Sequence, residues 1–270
     1  MKESTLLKSK MKIEKKNTLL SKFCKKDRLE VVFSFAILLL LWQIIALKIN
    51  NDIYLPTIGQ VYLSMKEIIQ TDRFQLDVLY SIGRCVLSFL FALLLAIILG
   101  IISYISRLFR NFLKPINSLA KSIPTMVLVV LSLIWFHKDN TPFIVGFAIV
   151  FPILYDSVLG SIMRIDKQLL EMAKLYRISM KDKILKIYFP IIKFQLISIL
   201  VSTFSLALKV VIAGEVHGQP TYGMGTMIQV EKINFNTSGI FAWVIIIILI
   251  SALLDISQNL LLRRTFTWRR

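Results

Sequence analysis

Apolar runs of about twenty residues recur along this 270-residue chain and constrain its fold more than any motif does. They lie at 31–48, 78–105, 115–136, 141–162, 191–213 and 238–262. A helix of about 20 apolar residues crosses the hydrocarbon core of a bilayer. Backbone in that core must satisfy its own N–H and C=O groups, so all six runs are read as helices. The expected fold is all-α: a polytopic membrane protein with about six transmembrane helices across 31–262. Basic tails flank it at 1–30 and 263–270. The first run is read as a retained span, because LKINND after it offers no small-x-small cleavage site. The second is long enough to tilt, or to bend near Gly100. Pro124 and Pro152 fall inside the third and fourth, which packed membrane helices tolerate.

The net charge of +17 would suggest nucleic acid in a soluble protein. Its distribution argues otherwise. Of the 33 Lys and Arg residues, 25 lie in 1–30, 106–114, 161–193 and 263–270, all on one side of the six-span topology, and four lie in the opposite connections. The positive-inside rule puts both termini and the 161–193 loop in the cytoplasm. These cations face membrane lipid headgroups, and no nucleic acid is needed to explain them.

The 161–193 loop is unusually elaborate, and its core reads EMAKLYRISMKDKILKIYFP from 171 to 190. Ile165, Leu169, Ala173 and Tyr176 share one helical face; Met180, Ile184, Ile187 and Ile191 share another. Between them Ser179 and Asp182 form an S-x-x-D capping box that starts a new helix. The spacing predicts helix, tight turn, helix, with Pro190 at the junction to the next span. Such a pair can lie on the membrane surface or dock a cytoplasmic partner.

Glu171-x-Ala173, a turn, then Ile187-x-x-Pro190 resembles the EAA loop of ABC importer permeases. Other segments fit the same family in order: Leu55-Pro56-Thr57, Ser81-x-x-Arg84, IPTMVLVVLSLIWF at 123–136 and AGEVHGQPTYGMGTMI at 213–228. Together they resemble the branch that imports nitrate, sulfonates, taurine, bicarbonate and pyrimidine precursors. The resemblance implies a non-catalytic permease subunit whose 164–190 loop carries a coupling helix for a separate ATPase. The matching positions are Glu171, Ala173, Tyr176, Arg177, Ser179, Asp182, Ile187 and Pro190. It further implies ABC ATPase subunits holding ATP and Mg, an extracytoplasmic substrate-binding protein, a second permease copy in a homodimer, and a bacterial plasma membrane. The chain departs from the pattern at four places. Arg177 stands at the usual turn glycine, where a left-handed backbone costs a side-chain-bearing residue about 1–2 kcal/mol. His137 replaces the glycine after Trp-Phe, Val129 and Val130 stand near a missing second proline, and Met172 interrupts Glu-Ala-Ala.

Ionisable residues within spans line pathways or pair with one another. Arg84 and Lys209 fall toward the outer side, with Glu215 just beyond the fifth span on that side; Asp156 and Asp255 fall toward the inner side. Arg84 with Glu215, and Lys121 with Asp156, are candidate pairs, and an unpaired Lys209 would favour an anionic solute. His137 and His217 lack the spacing of a metal site, and no metal is expected. Cys24 and Cys85 form no disulfide framework. Gly218, Gly223 and Gly225 lack the Lys-Ser/Thr of a phosphate loop and suit a flexible re-entrant or gating segment. The 57–70 stretch reads as a short amphipathic helix capped by Thr57. No catalytic motif and no Walker A sequence occur, so ATP chemistry belongs to another chain. The alternative is a secondary transporter without an ATPase, but the internal repeat expected of one is not evident.

Overall fold

A computed structural model describes residues 30–265. Cys24, most of the basic 1–30 tail and the end of the 263–270 tail lie outside the described residues. The chain divides into two compact units, 1–62 and 63–270.

In the first unit, α1 spans Glu30–Ile49. It ends at Asn50, whose left-handed φ of 47° suits a helix stop. Trp42 Nε1 then donates to the Pro56 carbonyl at 3.0 Å. α2 (Ile58–Gln70) starts just ahead of the division at 62, and Thr57 caps that start reciprocally. Its amide donates to Gln60 Oε1 at 2.7 Å, and the Gln60 amide donates back to Thr57 Oγ1 at 3.4 Å. This is a capping box with glutamine as the returning partner.

The second unit is organised by three long helices: α3 (Phe74–Ile105), α6 (Thr141–Met163) and α9 (Phe189–Gly218). Hydrophobicity does not drive helices together in lipid, so close backbone approach through small residues does much of the packing. Ala92, Ala96 and Gly100 form such a stripe on α3, buried against α6. A Cβ on Gly100 would lie 2.7 Å from Val158 Cγ1, and one on Gly146 would lie 2.8 Å from Val211 Cγ2. α3 therefore runs continuously through Gly100, and that glycine serves packing.

The expected third span, 115–136, is not a single straight helix. α4 (Arg107–Ser122) and α5 (Thr125–Trp135) meet at a bend of 103°. Ile123 is extended, with ψ 123°, because a residue before proline is pushed out of the helical region, and Pro124 restarts the chain as the cap of α5. The 11 residues of α5 reach about 16 Å at 1.5 Å per residue, short of the roughly 30 Å hydrocarbon core. The described residues thus contain five unbroken helices of spanning length and one bent pair.

The loop after α6 forms α7 (Lys167–Leu175) and α8 (Met180–Lys183). α8 is not a separate second helix. It continues through a π turn, Ile184–Tyr188, into α9. Pro190 has no N–H to give, and its ring would crowd the carbonyl four residues back; the wider π turn relieves both demands beside it. α10 (Met224–Ile233) and α11 (Thr237–Thr265) complete the unit.

Candidate functional site

Two clusters of the sequence-derived residues emerge, one at each end of α9. At its C-terminal end Glu215 is fully buried. Its Oε1 accepts from Arg84 Nη1 at 2.9 Å, and its Oε2 accepts from Ser81 Oγ at 2.7 Å and the Gly225 amide at 3.1 Å. Arg84 also donates to the Tyr222 carbonyl at 2.6 Å. Ser-x-x-Arg and the Ala-Glu…Gly-x-Gly segment, more than 130 residues apart, are therefore two halves of one clamp. Asp77, Ser81 and Arg84 present one face of α3, because spacings of four and three residues recur on one side of a helix. Along the loop from 219 to 225, the amides of Thr221, Gly223, Met224 and Gly225 donate to Asp139, Asp77, Ser81 and Glu215 respectively.

This arrangement explains the glycine at 225. A Cβ there would lie 2.4 Å from the Ile212 carbonyl oxygen. The segment expected to be a flexible re-entrant or gating stretch is packed in this structure, with Gly223, Met224, Gly225 and Thr226 buried. Asp77 also pairs with Arg73 at 3.2 Å. Asp139, in the connection before α6, has its carboxyl held below the usual range, first by the Thr221 amide and also by His137. Asp77, Arg73 and Asp139 were not singled out from sequence; only the i, i+4, i+7 spacing of Asp77, Ser81 and Arg84 could have marked the first of them.

The remaining intramembrane residues are dispersed. Lys121 contacts Asp156, which also accepts from Asn117 Nδ2 at 2.7 Å. Asp255 accepts from Ser205 Oγ at 2.6 Å. Lys209 is exposed on α9, and no partner for it occurs among the described residues.

At the other end of α9, the 164–190 loop is anchored by a few side chains and otherwise exposed. Ile165, Ala173 and Tyr188 are buried, Ile184 and Ile187 pack on the core, and the Tyr188 ring meets Tyr104 edge-on at 5.4 Å. The expected stripe of Ile165, Leu169, Ala173 and Tyr176 is divided: the first and third are buried, the others exposed. In the second stripe Met180 is exposed, and the Ile191 side chain lies outside those described. Glu171 is exposed, and Pro190 is half-buried.

α7 ends in a Schellman-type stop. The Ile178 amide donates to the Ala173 carbonyl at 3.0 Å, with Arg177 left-handed at φ 51°. The arginine adopts the conformation normally given to glycine. Ser179 then caps α8, accepting from the Asp182 amide at 3.1 Å and donating to Asp182 Oδ2 at 2.7 Å. Lys186 pairs with Asp182 at 2.8 Å. The turn is thus fixed at both sides, while Met172, Leu175, Tyr176 and Met180 point away from the core, Leu175 81% and Tyr176 71% exposed.

Similar proteins place this geometry in a family. The chain is 26% identical over 237 residues to SsuC of Bacillus subtilis, a putative aliphatic sulfonates transport permease, covering 87% of this chain and 85% of that protein. It is 24% identical over 243 residues to TauC, the taurine transport system permease of Escherichia coli, covering 87% and 88% respectively. Its fold is similar to that of the MetNI methionine ABC transporter solved in inward-facing conformations, with a TM-score of 0.60 at 15% identity over 70% of this chain and 94% of that one. Residues 88–267 match the family profile described as binding-protein-dependent transport system inner membrane component. With several membrane-length apolar helices and this match over two thirds of its length, the chain belongs to that family of multi-pass membrane permeases.

Proposed function

We propose that this chain is the permease subunit of an ABC importer for a small anionic or polar solute of the sulfonate, nitrate, taurine or pyrimidine-precursor class, coupled to a separate ATPase through residues 164–190. The observation that carries the reading is the loop itself. Its backbone is fixed by the stop at Arg177 and the cap at Ser179, yet its apolar side chains Met172, Leu175, Tyr176 and Met180 have no cover. A pre-shaped apolar surface rimmed by charge is what a docking element presents. The basic side of the protein, with this loop and both termini, is cytoplasmic. The clamp then faces outward, toward a solute-delivering binding protein. ATP and Mg belong to the ATPase, whose closure would move the loop and rock two permease copies between inward and outward states.

The reading of the solute as an anion is supported by Lys209, exposed at membrane depth without a counter-charge among the described residues. Uptake and anion preference that survive Lys209→Met would remove that assignment.

The coupling reading is tested by purifying the tagged chain in mild detergent from its native cell, as wild type and as Glu171→Lys, and assaying ATP hydrolysis and the composition of what comes with it. An ATPase that accompanies wild type and is lost or uncoupled in the variant is the expected result. A chain that purifies without an ATPase under every gentle condition favours the secondary-transporter alternative.

A further inference from the structure

α4 and α6 line two adjoining open clefts of opposite character at the loop-side end. One, of about 600 Å³, is lined by Arg107, Arg110, Lys114 and Lys121, with Asp156 its single carboxylate. The other, of about 210 Å³, is apolar, lined by Leu113, Ile116, Ala120, Phe147 and Phe151. Asn117 and Tyr155 line both. Asn117 is buried, and its Oδ1 has no donor, although its Nδ2 is bound to Asp156. A buried amide oxygen without a partner is unusual and points to a missing donor.

We propose that this composite cleft binds one anionic glycerophospholipid, with its phosphate among Arg107, Arg110 and Lys114 and the start of an acyl chain in the apolar cavity. Three features favour a lipid over a soluble anion. The cationic and apolar chambers share a wall, so an amphipathic ligand fills both at once. α4 is itself built for the membrane interface: its cations fall at 107, 110, 114 and 121, and its exposed apolar residues Leu108, Phe112, Ile116 and Leu119 follow helical spacing on another face. A basic pocket between helices at the cytoplasmic side is a recurrent headgroup site.

The test is native mass spectrometry of the full chain in detergent, titrated with phosphatidylglycerol, phosphatidylcholine, or soluble glycerol phosphate, with monodisperse elution as the folding control. Phosphatidylglycerol should be retained at one equivalent well above phosphatidylcholine. In Arg110→Gln/Lys114→Gln that retention should fall roughly thirtyfold, from the contribution of each cation near an anionic headgroup. Ala120→Phe, which fills the apolar cavity and leaves the cations in place, should lower lipid retention as well. Equal retention of both lipids, or no effect of the charge variant, overturns the proposal. Glycerol phosphate that binds as tightly as the lipid and ignores Ala120→Phe overturns it too, because the cleft is then a site for a soluble anion.

Discussion

The two ends of α9 carry charge in opposite ways. At the C-terminal end, Glu215 is buried with three donors within 3.1 Å, and the four loop amides around it all find acceptors. At the N-terminal end, Asp182, Lys186 and Glu171 stay in or near solvent, and the apolar side chains beside them are uncovered. A buried charge survives only if its partners are complete, so the clamp is finished within this chain. An exposed ion pair contributes little, so the loop's fixed shape must come from its caps and its few core anchors. The clamp closes on itself, with its charges and loop amides paired, whereas the loop leaves its apolar side chains uncovered.

The largest effect that would break this contrast is at Glu215. Glu215→Ala leaves Arg84 without its buried carboxylate and should destabilise by about 3–5 kcal/mol. Adding Arg84→Met should recover much of the loss, because replacing both charges is far cheaper than removing one. Thermal unfolding in detergent measures both, and a single variant as stable as wild type would mean the clamp is not structural. Gly225→Ala comes next. The contact with the Ile212 carbonyl forces a backbone shift that should cost about 1–3 kcal/mol, by the same measurement.

Changes in the loop should be smaller and local. Arg177→Gly removes left-handed strain and should stabilise by up to about 1–2 kcal/mol, read as a rise in Tm. Ser179→Ala removes the cap and should cost about 1 kcal/mol, seen as faster amide exchange at Asp182. Acid should act on the same turn. Lys186 and then Ser179 hold the Asp182 carboxyl below its ordinary 3.8. Its contribution is therefore fully present above pH 3.8 and is lost as pH falls through the lower folded value. Protection at 180–183 should be constant from neutral pH to about pH 4 and decline only below that. A decline already at pH 5 to 6 would assign the order to another group.

Much of the fold was legible because it depends on local pattern. Apolar length marked the long helices, and the S-x-x-D spacing placed the start of α8 at the residue where the cap is found. The broken third run was not legible from hydropathy. Pro124 has the same composition in a kinked helix as at a 103° turn, and only the neighbours of α4 and α5 choose between them. The Ala92, Ala96, Gly100 stripe was visible as spacing, but its meaning required knowing that α6 lies against it. The same holds for the loop: helical periodicity put Ala173 and Tyr176 on one stripe, while packing buried the first and left the second in solvent.

Sequence alone determined that this chain crosses a membrane several times, that its positive charge gathers in the tails and in alternate connections between the apolar runs, and where the 164–190 loop turns. Those properties depend on hydrophobic length, charge count and capping chemistry, which act within a few residues of chain. Tertiary structure decided that Asp77, Ser81, Arg84 and Glu215 form one clamp around 219–225, and that Lys209 has no partner among the described residues. Those outcomes depend on which helices are neighbours. A burial-driven charge pair forms only where packing removes water from both partners at once, and no spacing along the chain specifies that.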